Sequence, residues 1–155
     1  MSKMTEITHP DPTLRTFMLF MQMAHAVNQF SDNRLVLSNK MKTATYIGLK
    51  GLIVNGGEMS HTKLAEWTNT RKHNITGLVD RMKRDGFVTT ERSTTDRRLI
   101  KVAITDKGRA TFEKASPVAN EVMSQTMHGL NKKDVADLER VLKVMKENII
   151  RQKSA

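Results

Sequence analysis

No cysteine occurs among the 155 residues, which excludes disulfides, thiolate metal sites and thiol-based peroxide sensing. No run of 18 apolar residues is present, so no segment is expected to span a membrane. The N-terminus lacks the basic-then-apolar layout of a secretory signal, and a cytoplasmic protein is expected. Catalytic patterns are missing as well. His9, His25, His61, His73 and His128 show no H-x-x-x-H or comparable helical pairing, and there is neither a glycine-rich phosphate loop nor a nucleophile elbow. The expectation is a non-enzyme with no cofactor, no metal and no membrane partner. Acidic residues are in short supply: 16 Asp and Glu against 26 Lys and Arg leave a formal charge of +10. Such a balance suits a polyanion, and nucleic acid ranks before membrane because no basic amphipathic helix stands out. The length fits one domain or one dimerising unit with room for a core.

What is present is concentrated between residues 60 and 105. His61 to Thr68 reads as a short helix with Leu64, Ala65 and either Trp67 or Thr68 inward. Asn69 and Thr70 break it, because short polar side chains compete for backbone hydrogen bonds. A longer helix is predicted from about Arg71 to Asp85, stopping at Gly86, which takes the left-handed conformation cheaply. Ile75, Leu78, Val79 and Met82 fall at i, i+3, i+4 and i+7, one apolar stripe. Phe87 and Val88, then Leu99, Ile100, Val102 and Ile104, are short strand-like runs around a polar loop from Ser93 to Arg98. Helix, turn, helix and basic hairpin describe a winged helix-turn-helix. A helix fits the major groove of B-DNA, and a hairpin beside it reaches the neighbouring backbone or minor groove. From Arg71 to Lys101 there are nine Lys or Arg and four Asp or Glu, a surplus of five positive charges. Such an excess binds phosphates through counterion release. A charged run alone is more often a solvated face, but here it coincides with the recognition-helix pattern, and double-stranded DNA is the expected partner.

Four stretches then carry a resemblance: Leu78-Val79-Asp80-Arg81-Met82, Gly86-Phe87-Val88, Thr95-Asp96-Arg97-Arg98 and Ile104-Thr105-Asp106-Lys107-Gly108. Together they resemble the MarR family of bacterial transcriptional regulators over nearly the whole chain. The Asp-x-Arg wing followed by a Thr-x-x-Gly helix start is the more specific part. The resemblance implies a mainly α fold with a small β-hairpin wing. In it a winged helix-turn-helix domain is flanked by N- and C-terminal dimerisation helices that pair between subunits. It also implies a homodimer, and a small-molecule effector bound between the dimerising helices and the winged domain.

Within the recognition helix, Arg71, Lys72, His73, Asn74, Thr76 and Arg81 are the candidates for DNA contact. Asn reads adenine bidentately, Arg or Lys reads guanine, and Thr meets the thymine methyl, while part of any such set touches only phosphate. Gly77 stands where the family habitually has a larger, often basic residue. It either permits close approach to the groove or leaves one contact out. Thr68 and Thr70 are polar where relatives are apolar, so looser packing between the two helices is expected. In the wing, Ser93, Thr94, Thr95, Arg97 and Arg98 are candidates. The resemblance implies that Asp96 orients the loop and that a wing arginine enters the minor groove, where narrow A·T-rich segments attract it. It also implies that Arg98 can pair with Asp80, so Arg97 and Arg98 compete for the structural and DNA-facing roles.

The remaining chain reads as follows. Residues 1–38 hold a loose polar tail and a dimerisation helix, 39–105 the DNA-binding domain, and 106–155 the C-terminal dimerisation helices. Asp11-Pro12 is a helix start, an N-cap acceptor before a proline at the first helical position. Leu14, Phe17, Met18, Met21 and His25 follow at helical spacing, widened by Phe20, Val27 and Phe30. That face is either ordinary core or a dimer interface. Residues 31–42 read as a polar connection. Thr43 to Asn55 is predicted helical with Tyr46, Ile47, Leu49, Leu52 and Ile53 inward, and Met59 as the edge of a short strand pairing with the wing. Thr105 caps a long helix that Pro117 is expected to kink or divide. Gly129 breaks the chain, and Asn131 with Asp134 resembles a capping box built with the shorter acid. Val135, Leu138, Leu142, Met145 and Ile149 then form a short coiled-coil-like seam. Arg15, Met18, Met21, His25, Tyr46 and Trp67 are candidates for an effector pocket, since methionines adapt to varied ligands, though they fill cores as readily. The combined expectation is a dimeric, ligand-responsive repressor on a pseudo-palindromic operator. Its rivals are a winged-helix protein-interaction module without DNA binding and a metal- or ligand-loaded activator.

Overall fold

The computed structural model describes residues 6–70, 72–92 and 100–154. Two compact units divide the chain, Met1–Val122 and Met123–Ala155.

The first unit begins with α1 (Pro12–Asn39). The Asp11 carboxylate accepts from the N–H groups of Thr13 and Leu14, and Pro12 occupies the first helical position, where its missing N–H removes nothing. The polar connection expected over residues 31–42 is not there: α1 continues through Asn39. Its last turns are held by burial of Ser31 and Leu35 and stopped at Lys40, which adopts φ 52° and donates its N–H to Val36 at 3.0 Å. Asp32 serves the next element, accepting from the Thr43 N–H at 2.7 Å.

Helix α2 (Thr43–Val54) buries Gly48, Leu49, Gly51 and Leu52. Ile47, expected inward, is 39% exposed, because it lies at the edge of that stripe, one turn before Gly51. Strand β1 (Glu58–Ser60) leads into α3 (His61–Trp67) and α4 (Lys72–Arg84), then β2 (Val88–Arg92) and β3 (Ile100–Ile104). The sheet order is β1-β3-β2, all antiparallel, with β3 central. Met59 pairs with Val102, as expected for a short strand against the wing, and both side chains are buried. Lys101 ties β3 to β1 through Glu58, Nζ to Oε2 2.6 Å.

The core of this unit is continuous. Leu35 from α1, Leu49 and Leu52 from α2, Leu64 from α3, Ile75 and Met82 from α4, and Val102 from β3 are each at most 1% exposed. Helix α5 (Asp106–Thr126) adds Phe112 and Ala115. Pro117 does not divide α5. A helix-interior proline costs about 3 kcal/mol, whereas burial of Phe112 and Val122 on either side contributes about 1.5–3 kcal/mol each.

In the second unit, α6 (Lys132–Ser154) starts as the local sequence dictates. Asn131 Oδ1 accepts from the Lys133 and Asp134 N–H groups, while Asp134 Oδ2 accepts from the Asn131 N–H at 2.9 Å. This is a reciprocal capping box, closed by aspartate where glutamate is commoner. Val135, Leu138, Leu142 and Ile149 of the seam are exposed within the single chain, the least at 39%.

Candidate nucleic-acid interface

Helix α3 opens on Ser60, whose Oγ accepts from the Lys63 N–H at 3.2 Å, and presents Leu64 and Ala65 to the core. Trp67 remains exposed, yet its ring lies against Gly51, where a methyl would approach within 2.5 Å, and its Nε1 donates to the Ile47 carbonyl at 3.1 Å. The turn between α3 and α4 pivots on Asn69, with φ 49°. Asn tolerates this left-handed region better than most residues, and the Thr70 N–H closes the turn on the Ala65 carbonyl at 2.8 Å.

The two threonines expected to loosen the packing between α3 and α4 bond within their own turn. The Thr68 hydroxyl donates to the Leu64 carbonyl at 2.8 Å and the Thr70 hydroxyl to the Thr68 carbonyl at 3.3 Å. Both polar groups are thus satisfied locally, while Leu64 and Ile75 are fully buried.

Helix α4 is strongly two-sided. Ile75, Leu78, Val79 and Met82 are buried, whereas Asn74, Thr76, Asp80, Arg81 and Arg84 face solvent. Its C-terminal end is fixed from three directions. The Phe87 N–H returns to the Met82 carbonyl at 2.8 Å across Gly86, which has φ 77°. The Thr105 hydroxyl donates to the Gly86 carbonyl at 2.7 Å, and Lys107 Nζ donates to the Asp85 carbonyl at 2.7 Å. Lys107 also stands 5.7 Å from the Phe87 ring centroid, a cation over an aromatic face. These contacts lock the exposed helix to the base of the β2–β3 hairpin, because the Thr105 N–H also bonds the Phe87 carbonyl at 3.0 Å.

Of the sequence-expected contact residues, Asn74, Thr76 and Arg81 share one solvent-facing surface, with Asp80 on the same side. Lys72 and His73 lie in the first turn of α4. Arg71 and the wing residues Ser93, Thr94, Thr95, Asp96, Arg97 and Arg98 lie outside the described residues, and with them any pairing of Asp80 with Arg98. Arg84, absent from the sequence-based set, belongs to the exposed face; its position seven residues after Gly77 is the helical signal that finds it. Lys107 was equally invisible, since its role depends on a contact 22 residues back in the chain.

The six effector-pocket candidates are dispersed. Arg15 donates to the His9 carbonyl at 2.6 Å and lines a shallow concavity of about 520 Å3 with residues 6–10. Met18, Met21 and His25 face solvent on α1. Tyr46 stacks on Phe112, with ring centroids 4.8 Å apart, and Trp67 covers Gly51. Among the described residues no cluster of three or more His, Asp or Glu is placed to hold a metal ion, and no helix is long and apolar enough to cross a membrane.

Helices α3 and α4, set about the Asn69 turn and backed by a three-stranded sheet, make a winged helix-turn-helix. The sequence model of the MarR family matches residues 52–100 of the chain. It is 32% identical to the HTH-type transcriptional repressor IacR of Pseudomonas putida over 98 residues, 63% of this chain and 59% of IacR. The match therefore spans about three fifths of that relative. The fold is that of Sco3205, a MarR family transcriptional regulator from Streptomyces coelicolor solved in complex with DNA. The TM-score there is 0.84 and the identity 18%, covering 92% of this chain and 94% of Sco3205. It is also that of the organohalide sensing RdhR-CbdbA1625 transcriptional regulator in its 2,4-dichlorophenol bound form. In that case the TM-score is 0.78 and the identity 19%, covering 94% of this chain and 89% of the other.

Proposed function

We propose that this protein is a sequence-specific DNA-binding transcriptional repressor, not an enzyme, that acts as a homodimer and responds to a small molecule. The observation that carries the reading is α4. One side of it is sealed into the core by Ile75, Leu78, Val79 and Met82, and the other offers Asn74, Thr76, Arg81 and Arg84 to solvent beside the β2–β3 hairpin. A helix held this way enters a major groove as a rigid element, with Asn and Arg as base readers and the remaining cations on phosphate.

Two further features support the dimer. Helix α1 leaves Leu14, Phe17, Met18 and Met21 exposed, and α6 separately leaves Val135, Leu138 and Leu142 exposed at helical spacing, each an apolar face that a partner would cover. Paired subunits fit two half-sites about one helical turn apart. The ligand response is supported by the match of residues 52–100 to the MarR family model and by the dichlorophenol bound by one structural neighbour. A ligand releases DNA only by binding the DNA-incompetent arrangement better.

A salt titration of binding to the DNA upstream of the protein's own coding region, against scrambled DNA of equal length, tests the proposal. Specific binding about a thousandfold tighter than scrambled is the expected result. Equal, steeply salt-dependent binding to both would reveal phosphate attraction alone.

A further inference from the structure

Glycine is, after proline, the residue least suited to a helix interior, and α4 carries one at position 77. At two other helical glycines, packing explains the residue. A methyl at Gly51 would come within 2.5 Å of the Trp67 ring, and one at Gly108 within 2.2 Å of the Phe87 carbonyl oxygen. Gly77 has no such reason. Among the described residues, a methyl there would meet only Arg81 Nη1, at 3.7 Å, an ordinary contact, and Gly77 is not among the glycines with positive φ. Neither packing among the described residues nor backbone conformation calls for it.

Its place on the helix supplies a reason. With about 100° between successive residues, Gly77 lies on the side opposite Ile75 and Met82. It is bordered by Asn74 one turn before and by Asp80 and Arg81 one turn after, all exposed. The polar face of α4 therefore has a notch near its centre, floored by backbone. Arg81, whose side chain leans toward the helix N-terminus, extends its guanidinium over that floor.

We propose that Gly77 is an affinity- and specificity-determining position, where the missing side chain lets the α4 backbone seat against base edges in the major groove. The inference rests on the DNA-binding reading above. In this chain, with Asn74 and Arg81 flanking a bare backbone, a side chain added at the centre of the face would hold the helix off the groove and draw those two away from the bases.

The test compares wild type, Gly77→Ala and Gly77→Lys on DNA enriched by the wild-type protein from a random pool, with thermal unfolding measured in parallel. Gly77→Ala is expected to raise the melting temperature by about 2–4 °C, as a better helix former, while weakening specific binding about tenfold or more. Gly77→Lys is expected to weaken specific binding despite its added positive charge, while binding scrambled DNA at least as well as wild type. Gly77→Ala binding within about twofold of wild type, or Gly77→Lys binding the enriched DNA more tightly, would overturn the inference. A wild-type protein that enriches no sequence would instead remove the DNA-binding reading, and this inference with it.

Discussion

The Thr105 hydroxyl donates to the Gly86 carbonyl at 2.7 Å while accepting from the Gly108 N–H at 3.0 Å. One side chain thus caps α5 and closes the end of α4, so the exposed helix cannot shift without uncapping its neighbour. Thr105→Val keeps the shape and removes both bonds. Loss of the N-cap and a carbonyl left without its partner should cost about 2 kcal/mol, read by urea unfolding, with Thr105→Ser restoring most of it. A valine variant as stable as wild type would show that the junction is held by packing alone.

Gly108 makes the same junction sterically exclusive. A methyl there would stand 2.2 Å from the Phe87 carbonyl oxygen and 2.9 Å from Ile104 Cγ1. Backbone has little room to yield, so Gly108→Ala should destabilise by at least ~2 kcal/mol despite alanine's higher helix propensity. A thermal scan showing an unchanged or higher melting temperature would contradict the packing described.

Asn74 and Arg84 should fail in different ways. Asn74→Ala is expected to lose about 1–3 kcal/mol on the preferred sequence and to relax selectivity at one base position. Arg84→Ala should weaken all sequences alike and reduce the salt slope by about 1. The pair Arg97→Ala with Arg98→Ala should weaken binding to A·T-rich flanks most. Retention of full affinity in that double variant would favour a protein-interaction role for the winged helix. Competition binding on a panel of single-base variants separates these outcomes.

Phe17 and Leu138 are exposed, at 52% and 42%, so aspartate at both should leave the monomer fold intact. Sedimentation should show a mass near two chains of 17.6 kDa for wild type and near one for the double variant. A monomeric wild type at micromolar concentration would remove the dimer from the account.

Local signals in the sequence were sufficient wherever structure depends on near neighbours. The Asp11-Pro12 start, the Asn131–Asp134 box, the Gly86 stop and the apolar stripe of α4 each involve residues within seven positions of one another. What escaped depends on tertiary contacts. Helix α1 runs past the polar stretch because Leu35 is buried by other elements, and it stops at a lysine in a conformation that composition does not announce. Pro117 stays inside α5 because packing on both sides outweighs its disruption. Lys107 reaches a partner 22 residues back, at the Asp85 carbonyl, and the Arg109 guanidinium fills the space a side chain at Gly57 would take, which no periodicity reveals. The polar face of α4 was legible in part: Asn74, Thr76 and Arg81 follow from helical spacing, whereas the open space beside Gly77 among the described residues required coordinates.

The most direct test of the central claim is selection of binding sites from a random double-stranded pool by the full-length protein. The account predicts enrichment of a pseudo-palindrome whose half-site centres lie about 10 base pairs apart, with that spacing lost in the Phe17→Asp, Leu138→Asp variant. A pool that remains random after repeated rounds, at salt low enough for any phosphate contact to persist, would contradict it.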